Sequence, residues 1–173
     1  MSEARMKENN GEHPFGDAAQ LIFFFTFLIV WAADSFFLKW SVFLSASLPL
    51  VLRLVVSALV WAAGVWIVKS GHVVASGDER PDEVIRAGVF RHVRHPLYLG
   101  SLLLYVGLTI STASLLSLAM FVVVLFFYDF IAGYEEKLLE AKFGESYRDY
   151  RSVTGKWLPR LRAGVASQAG AKE

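Results

Sequence analysis

The chain has 173 residues, of which 55% are hydrophobic and 14% aromatic, with a mean hydropathy of +0.45 and a formal net charge of +1. That is more apolar surface than a domain of this length can bury in water, so the composition excludes an ordinary soluble fold and implies an integral membrane protein. Cysteine is absent, which also excludes disulfides, thiolate catalysis and Cys-ligated zinc.

Residues 1–17 mix Glu3, Glu8, Glu12 and Asp17 with Arg5 and Lys7. No cationic stretch leads into a short apolar one, so no cleavable signal peptide is expected. This segment is predicted to be mobile, with at most a short interfacial piece at Pro14-Phe15. A single membrane domain is expected over 18–162 and a flexible Ala- and Gly-rich tail over 163–173.

A helix crossing ~30 Å of hydrocarbon needs roughly 20 apolar residues. Four segments approach this, at about 18–38, 49–69, 96–111 and 114–132. The predicted fold class is therefore all-α: a polytopic membrane protein with about four transmembrane helices, including a C-terminal helical hairpin, and short cytoplasmic amphipathic helices after it. The last two spans are short, which predicts tilt or local thinning of the bilayer.

The first span carries Asp34 towards its outer end, an acid that is costly in the bilayer without a partner; Lys39 is the local candidate. A turn at Ser45–Pro49 leads into the second helix, with proline suited to a first turn. That helix is predicted to run to Lys69, with Arg53 near its outer end as an interfacial anchor that snorkels. Residues 70–94 then form the longest polar connection, punctuated by Gly71, Gly77, Pro81 and Gly88.

Pro96 opens the third helix, where its missing N–H is no loss. Beyond Tyr134 the pattern becomes that of an amphipathic helix, with Tyr134, Leu138, Leu139 and Phe143 near helical spacing. Gly144 is the expected stop. A second short helix carries Tyr147 and Tyr150, and Trp157-Leu158-Pro159 presses back on the interface.

Of the 17 lysines and arginines, only Lys39 and Arg53 fall outside the end of the bundle that holds both termini and the 70–95 connection. The positive-inside rule makes that end cytoplasmic. The stretch from Leu97 to Tyr134 is almost wholly apolar and long enough to go out and come back. The His-Pro-x-Tyr element and Glu135-Glu136 should therefore meet at one membrane face.

This face gathers His95, Tyr98, Arg91, Arg94, Glu135 and Glu136, with Tyr147 and Tyr150 nearby. A carboxylate and aromatic faces suit an ammonium or sulfonium group, helix N-terminal amides suit an anion, and the bilayer supplies lipid. Arg91, Arg94, Tyr147 and Tyr150 are the candidate substrate contacts, although the arginines also serve as topology signals and the tyrosines as interface anchors. His92 and His95 lack a second pair or an HExxH pattern, so no metal is expected, nor is nucleic acid.

These residues resemble a known family. Gly88-Val89-Phe90, then Arg94-His95-Pro96-Leu97-Tyr98-Leu99-Gly100, then Glu135-Glu136-Lys137-Leu138-Leu139, and finally Phe143-Gly144-Glu145-Ser146-Tyr147-Arg148-Asp149-Tyr150 are similar to segments of the isoprenylcysteine carboxyl methyltransferases, with the phospholipid methyltransferases close by. The likeness covers roughly Asp82 to Pro159. It implies a membrane enzyme that uses S-adenosylmethionine without a Rossmann domain. The cofactor would be held by Asp82, Glu83, Val84, Ile85, Phe90, His95, Pro96, Leu97, Tyr98 and Glu135, and a lipophilic acceptor would arrive from the bilayer. Methyl transfer is an in-line displacement that needs proximity, orientation and a suitable field. An amine acceptor must first lose a proton, and Glu136 or His95 is the candidate base beside Glu135.

The chain departs from the resemblance at two points. Ile131 stands where the carboxyl methyltransferases carry a substrate-engaging arginine, and Phe90 replaces a tyrosine. Both weaken the expectation of a prenylcysteine carboxylate more than that of the cofactor. The alternatives are N-methylation of an aminophospholipid or small amphiphile, a non-catalytic scaffold of the same fold, and a nicotinamide-dependent reductase, for which the chain is short and lacks a phosphate-binding basic pocket.

Overall fold

The computed structural model describes residues 16–76 and 83–160. Most of the predicted mobile N-terminus, the Pro14-Phe15 piece, Asp82 and the predicted tail lie outside the described residues.

Helix α1 spans Gly16–Ala32 and continues as a π-helical turn, Ala33–Leu38. Lys39 takes the left-handed conformation (φ 53°) and its N–H closes on the Asp34 carbonyl at 2.8 Å. A 3₁₀ turn, Phe43–Ala46, leads through Pro49 into α2, Leu50–Ser76. A second 3₁₀ turn, Gly88–Arg91, precedes α3, Pro96–Thr112, which starts on its proline as expected. Ser114 then caps α4, Leu115–Phe143, its side chain accepting from the Ser117 amide at 3.0 Å. Gly144 (φ 57°) breaks the chain into α5, Glu145–Val153. No strand is present among the described residues beyond an isolated bridge between Val93 and Gly155.

Three helical stretches, Gly16–Leu38, Leu50–Val74 and Leu115–Phe143, are long and apolar enough to cross a membrane. The shorter α3 lies among them; its 17 residues give roughly 25 Å at 1.5 Å per residue, close to the ~30 Å of a hydrocarbon core. The many exposed apolar side chains, such as Ile29, Val51 and Phe126, form the surface that lipid covers.

Two expectations are corrected. The second helix does not stop at Lys69 but runs seven residues further, to Ser76, because its end has a packing partner. A Cβ at Gly71 would touch Leu97 at 3.1 Å, so the start of α3 lies directly against this last stretch. The amphipathic segment after Tyr134 is not a separate helix either. It is the unbroken end of α4, since no residue there interrupts the backbone ladder before Gly144. Only α5 follows as a short amphipathic helix.

The α2–α3 seam is built on small residues. Ser57, Gly64 and Gly71 recur every seven residues on α2, as Gly100 and Gly107 do on α3, a spacing that keeps one face in register along both helices. Trp61 lies so close that a Cβ at Gly107 would sit 2.1 Å from its indole nitrogen, and the Ser57 hydroxyl donates to the Gly107 carbonyl at 2.9 Å. The core proper lies where α1, α3 and α4 meet, around Phe27, Leu102, Tyr105, Val124 and Tyr128. Phe27 and Tyr105 pack edge to face with centroids 4.8 Å apart, an arrangement favoured by the ring quadrupoles.

Two polar ties close the far end. Asp34 is fully buried, and its partners are hydroxyls and amides rather than the Lys39 ammonium: Ser41 Oγ at 2.5 Å, Ser114 Oγ at 2.6 Å, and the N–H groups of Trp40 and Ser41 at 3.0 and 3.1 Å. Arg53 donates to the Ser111 carbonyl at 2.7 Å and to Leu48 O at 3.3 Å, so it links α2 to the end of α3 as well as standing near the interface.

Candidate functional site

Because α3 and α4 are antiparallel neighbours, the first turn of α3 returns beside residues 135 and 136 of α4. The Tyr98 hydroxyl donates to Glu135 Oε1, and His95 Nε2 lies 3.2 Å from Glu136 Oε1. The His-Pro-x-Tyr element and the glutamate pair do meet at one end of the bundle. The imidazole also stacks on the Tyr98 ring, with centroids 5.7 Å apart and planes 6° from parallel.

The two glutamates have different surroundings. Consecutive helical residues point about 100° apart, so only one of the pair can face the same space. Glu136 is 4% exposed, hydrogen-bonded to Arg94 Nε at 2.9 Å and His95 Nε2 at 3.2 Å, and ion-paired with Arg151, whose Nε lies 3.6 Å away. A carboxylate paired with two guanidinium groups is ionised and can only accept, so Nε2 of His95 carries the hydrogen. Burial lowers the His95 pKa below its ordinary 6.5 despite the pull of Glu136, and the ring is neutral at pH 7 with Nδ1 as an acceptor. Nδ1 lies 3.7 Å from Glu135 Oε2.

Glu135 faces a cavity of about 470 Å³, within the range of small-molecule sites. From the predicted set it is lined by Phe90, Arg94, His95, Pro96, Leu97, Tyr98 and Glu135. Glu136 does not line it. Neither do Val84 and Ile85, which are half-buried, nor the exposed Glu83 and Arg91. Tyr147 and Tyr150 are buried behind Arg94 rather than in the cavity wall. Tyr150 donates to the Phe90 carbonyl at 2.6 Å and so fixes the backbone that carries the lining ring, while the Tyr147 hydroxyl has no partner among the described residues. Ile131 is buried, 2% exposed.

Arg94 lines the cavity, but its guanidinium is held by Glu136 and by the carbonyls of Thr154 and Arg151. The Arg94 amide also bonds Gly155 O at 2.9 Å. The chain after α5 therefore acts as a strap, fastened further by Asp129, which accepts from Lys156 Nζ at 2.5 Å and Trp157 Nε1 at 2.9 Å. The Trp157 ring lies 5.9 Å from His95. Sequence reasoning noticed Asp129 only as an interruption; a lone acid in an apolar helix calls for a partner, and Lys156 with Trp157 supplies it.

Sequence reasoning also missed Gly16, Asp17, Gln20, Ser101 and Leu139, which line the cavity as well. Asp17 and Gln20 occupy the first turns of α1, one turn apart, and Ser101 is one turn after Tyr98. A polar residue repeating at helical spacing inside an apolar span was the available signal. Asp17, Gln20 and Ser101 also line a second cavity of about 380 Å³ that continues between α1, α3 and α4 past Leu104, Tyr105 and Tyr128. The two cavities thus share three polar residues, and the second is the more apolar. No group of three or more His, Cys, Asp or Glu residues is arranged to hold a metal ion among the described residues.

Comparison with known proteins agrees with the motif pattern. The chain is 30% identical over 91 residues to the protein-S-isoprenylcysteine O-methyltransferase of Schizosaccharomyces pombe, a match covering 52% of this chain and 39% of that protein. It is 35% identical over 89 residues to a probable protein-S-isoprenylcysteine O-methyltransferase of Oryza sativa subsp. indica, covering 51% and 47%. With the Saccharomyces cerevisiae protein-S-isoprenylcysteine O-methyltransferase it shares 34% identity over 90 residues, covering 51% and 37%. The chain thus matches less than half the length of each of these curated relatives. No solved structure gives a significant match. The sequence pattern of the phospholipid methyltransferases, however, spans residues 40–146, from the loop before α2 to the start of α5 and through both halves of the His95–Glu135 site. This integral membrane protein belongs to the phospholipid methyltransferase family.

Proposed function

We propose that the chain is an S-adenosylmethionine-dependent methyltransferase acting on a lipid-soluble acceptor, with the cofactor in the chamber beside Glu135 and the acceptor in the apolar cavity that opens from it. The observation that carries this reading is the junction itself: Tyr98 and Glu135 on one side, Tyr105 and Tyr128 on the other, with Ser101 shared. Both termini and this chamber are assigned to the cytoplasm from the lysine and arginine distribution.

The chamber suits the cofactor chemically. The aromatic rings of Phe90 and Tyr98 and the carboxylate of Glu135 form a wall that favours a sulfonium or ammonium group. The first-turn amides of α3 at Leu97 and Tyr98 have no partner within the helix and can receive a carboxylate. When bound, S-adenosylmethionine supplies an electrophilic methyl group. The protein's part is to orient both partners and to exclude water. Tyr98 holds Glu135 by its hydroxyl hydrogen bond, and the Arg94–Glu136–His95 cluster holds the α3 entry against α4. Glu136 is in this reading a positioning residue.

One feature of the lining bears on the acceptor. A carboxylate acceptor needs a cation, yet Ile131 is apolar and buried, and among the described residues the one guanidinium in the wall is held by Glu136 and the strap carbonyls. Asp17 stands at the passage between the cavities. This favours an amine-bearing amphiphile over a prenylcysteine carboxylate, and the neutral His95 or a carboxylate of the wall would take the proton that an ammonium must lose before it attacks. The test is incubation of the protein in nanodiscs with methyl-labelled cofactor and either an aminophospholipid or a prenylcysteine. Label that survives mild base is expected, as a methylamine; base-labile label on the prenylcysteine alone would contradict the amine assignment.

A further inference from the structure

At the opposite end of the bundle, where α1 gives way to its π-helical turn, lies a separate cavity of about 410 Å³. We propose that it binds the phosphate headgroup of an anionic membrane lipid. Its wall carries Lys39 and Arg53, the only two basic residues at that end among the described residues, together with Ser35 and Thr112.

The charge balance points to an anion. Among the described residues the single acid at this end is Asp34; none occurs elsewhere between Ala18 and Gly77 or between Pro96 and Tyr128. Asp34 is fully buried and taken up by Ser41, Ser114 and two amides. Among the described residues neither Lys39 nor Arg53 forms an ion pair. Arg53 spends only part of its donor set, on the carbonyls of Leu48 and Ser111, which fixes the guanidinium at the wall and leaves further N–H groups for a ligand. The Ser35 hydroxyl is buried without a partner among the described residues, a cost that a ligand oxygen would remove.

A phosphate group meets these donors better than a carboxylate does, because a guanidinium fork and an ammonium can engage several of its oxygens at once. The mouth identifies the carrier. Phe36, Leu50 and Leu54 line the cavity and are 57%, 57% and 49% exposed, an apolar rim on a transmembrane surface along which acyl chains can lie. A soluble phosphate ester would gain nothing from that rim.

The test is thermal unfolding of the full chain in detergent, titrated with phosphatidylglycerol, phosphatidylcholine or inorganic phosphate. Phosphatidylglycerol is expected to raise the unfolding temperature more than phosphatidylcholine does. Lys39→Gln and Arg53→Lys should each weaken that response about tenfold, the loss of one good charge-assisted contact, while Lys137→Gln at the other end should not. An equal response to the two lipids, or one that ignores the Lys39 and Arg53 changes, would overturn the site. An equal, variant-sensitive response to millimolar inorganic phosphate would overturn the lipid as its occupant.

Discussion

Replacing Glu136 with alanine is expected to destabilise the fold by about 3–5 kcal/mol, the usual consequence of removing one partner from a buried ionic cluster. Arg94 would lose its counter-ion and His95 its acceptor, with side chains only 7% exposed. The damage would spread, because Arg94 also fastens the strap through Thr154 and Arg151. By contrast, Glu135→Gln keeps the side-chain shape and leaves an amide oxygen for the Tyr98 hydroxyl, so its stability should stay within about 1 kcal/mol of the parent. Denaturant unfolding followed by tryptophan fluorescence separates the two. A Glu136→Ala protein as stable as the parent would show that the cluster does not hold the α3 entry.

The second large effect is expected at the other end. Asp34→Ala should lower stability by about 2–3 kcal/mol, even though it removes a buried charge. Four donors converge on that carboxylate, from Trp40, Ser41 twice and Ser114, and each one left unpaired in a buried site costs about 1–3 kcal/mol. Some can re-pair, since Ser114 and Ser117 already share a hydroxyl contact of 2.8 Å. The amides of Trp40 and Ser41 have no such alternative, and although Ser41 still accepts from the Leu115 and Leu116 amides at 3.2 and 2.8 Å, the loop over residues 39–41 loses its ties to α1 through the Asp34 side chain. Protease cleavage within that loop, slow in the parent and faster in the variant, gives an independent measurement. Unchanged unfolding and unchanged cleavage would remove Asp34 from its structural role.

The pairing of His95 and Tyr98 with Glu136 and Glu135 was legible because it follows from one count: an apolar stretch of that length must return to the face it left. The division of work within the glutamate pair was not, since adjacent residues differ only by rotation about the helix axis and the sequence does not say which direction holds Arg94. Helix ends set by packing were equally hidden. Residues 70–76 read as a polar connection because Ser70, Gly71 and His72 interrupt the apolar run, yet Gly71 is the place where Leu97 packs. The seven-residue recurrence of Ser57, Gly64 and Gly71 was visible, but it acquires meaning only opposite Gly100 and Gly107. Asp17 and Gln20 were passed over because they fall where a polar N-terminus meets an apolar span, so that their polarity looked like a boundary rather than a lining. The strap after α5 has no periodicity at all; its contacts depend on Asp129 and Arg94, far away in sequence.

The most direct test of the account is equilibrium binding of S-adenosylmethionine to the protein in nanodiscs, compared between the parent, Glu135→Ala and Lys137→Ala. Saturable binding is expected of the parent and of Lys137→Ala, weakened about a hundredfold in Glu135→Ala, the scale expected when a carboxylate facing a cationic ligand in a partly closed site is lost. Equal binding by Glu135→Ala and the parent, or no binding by a well-folded parent, would contradict it.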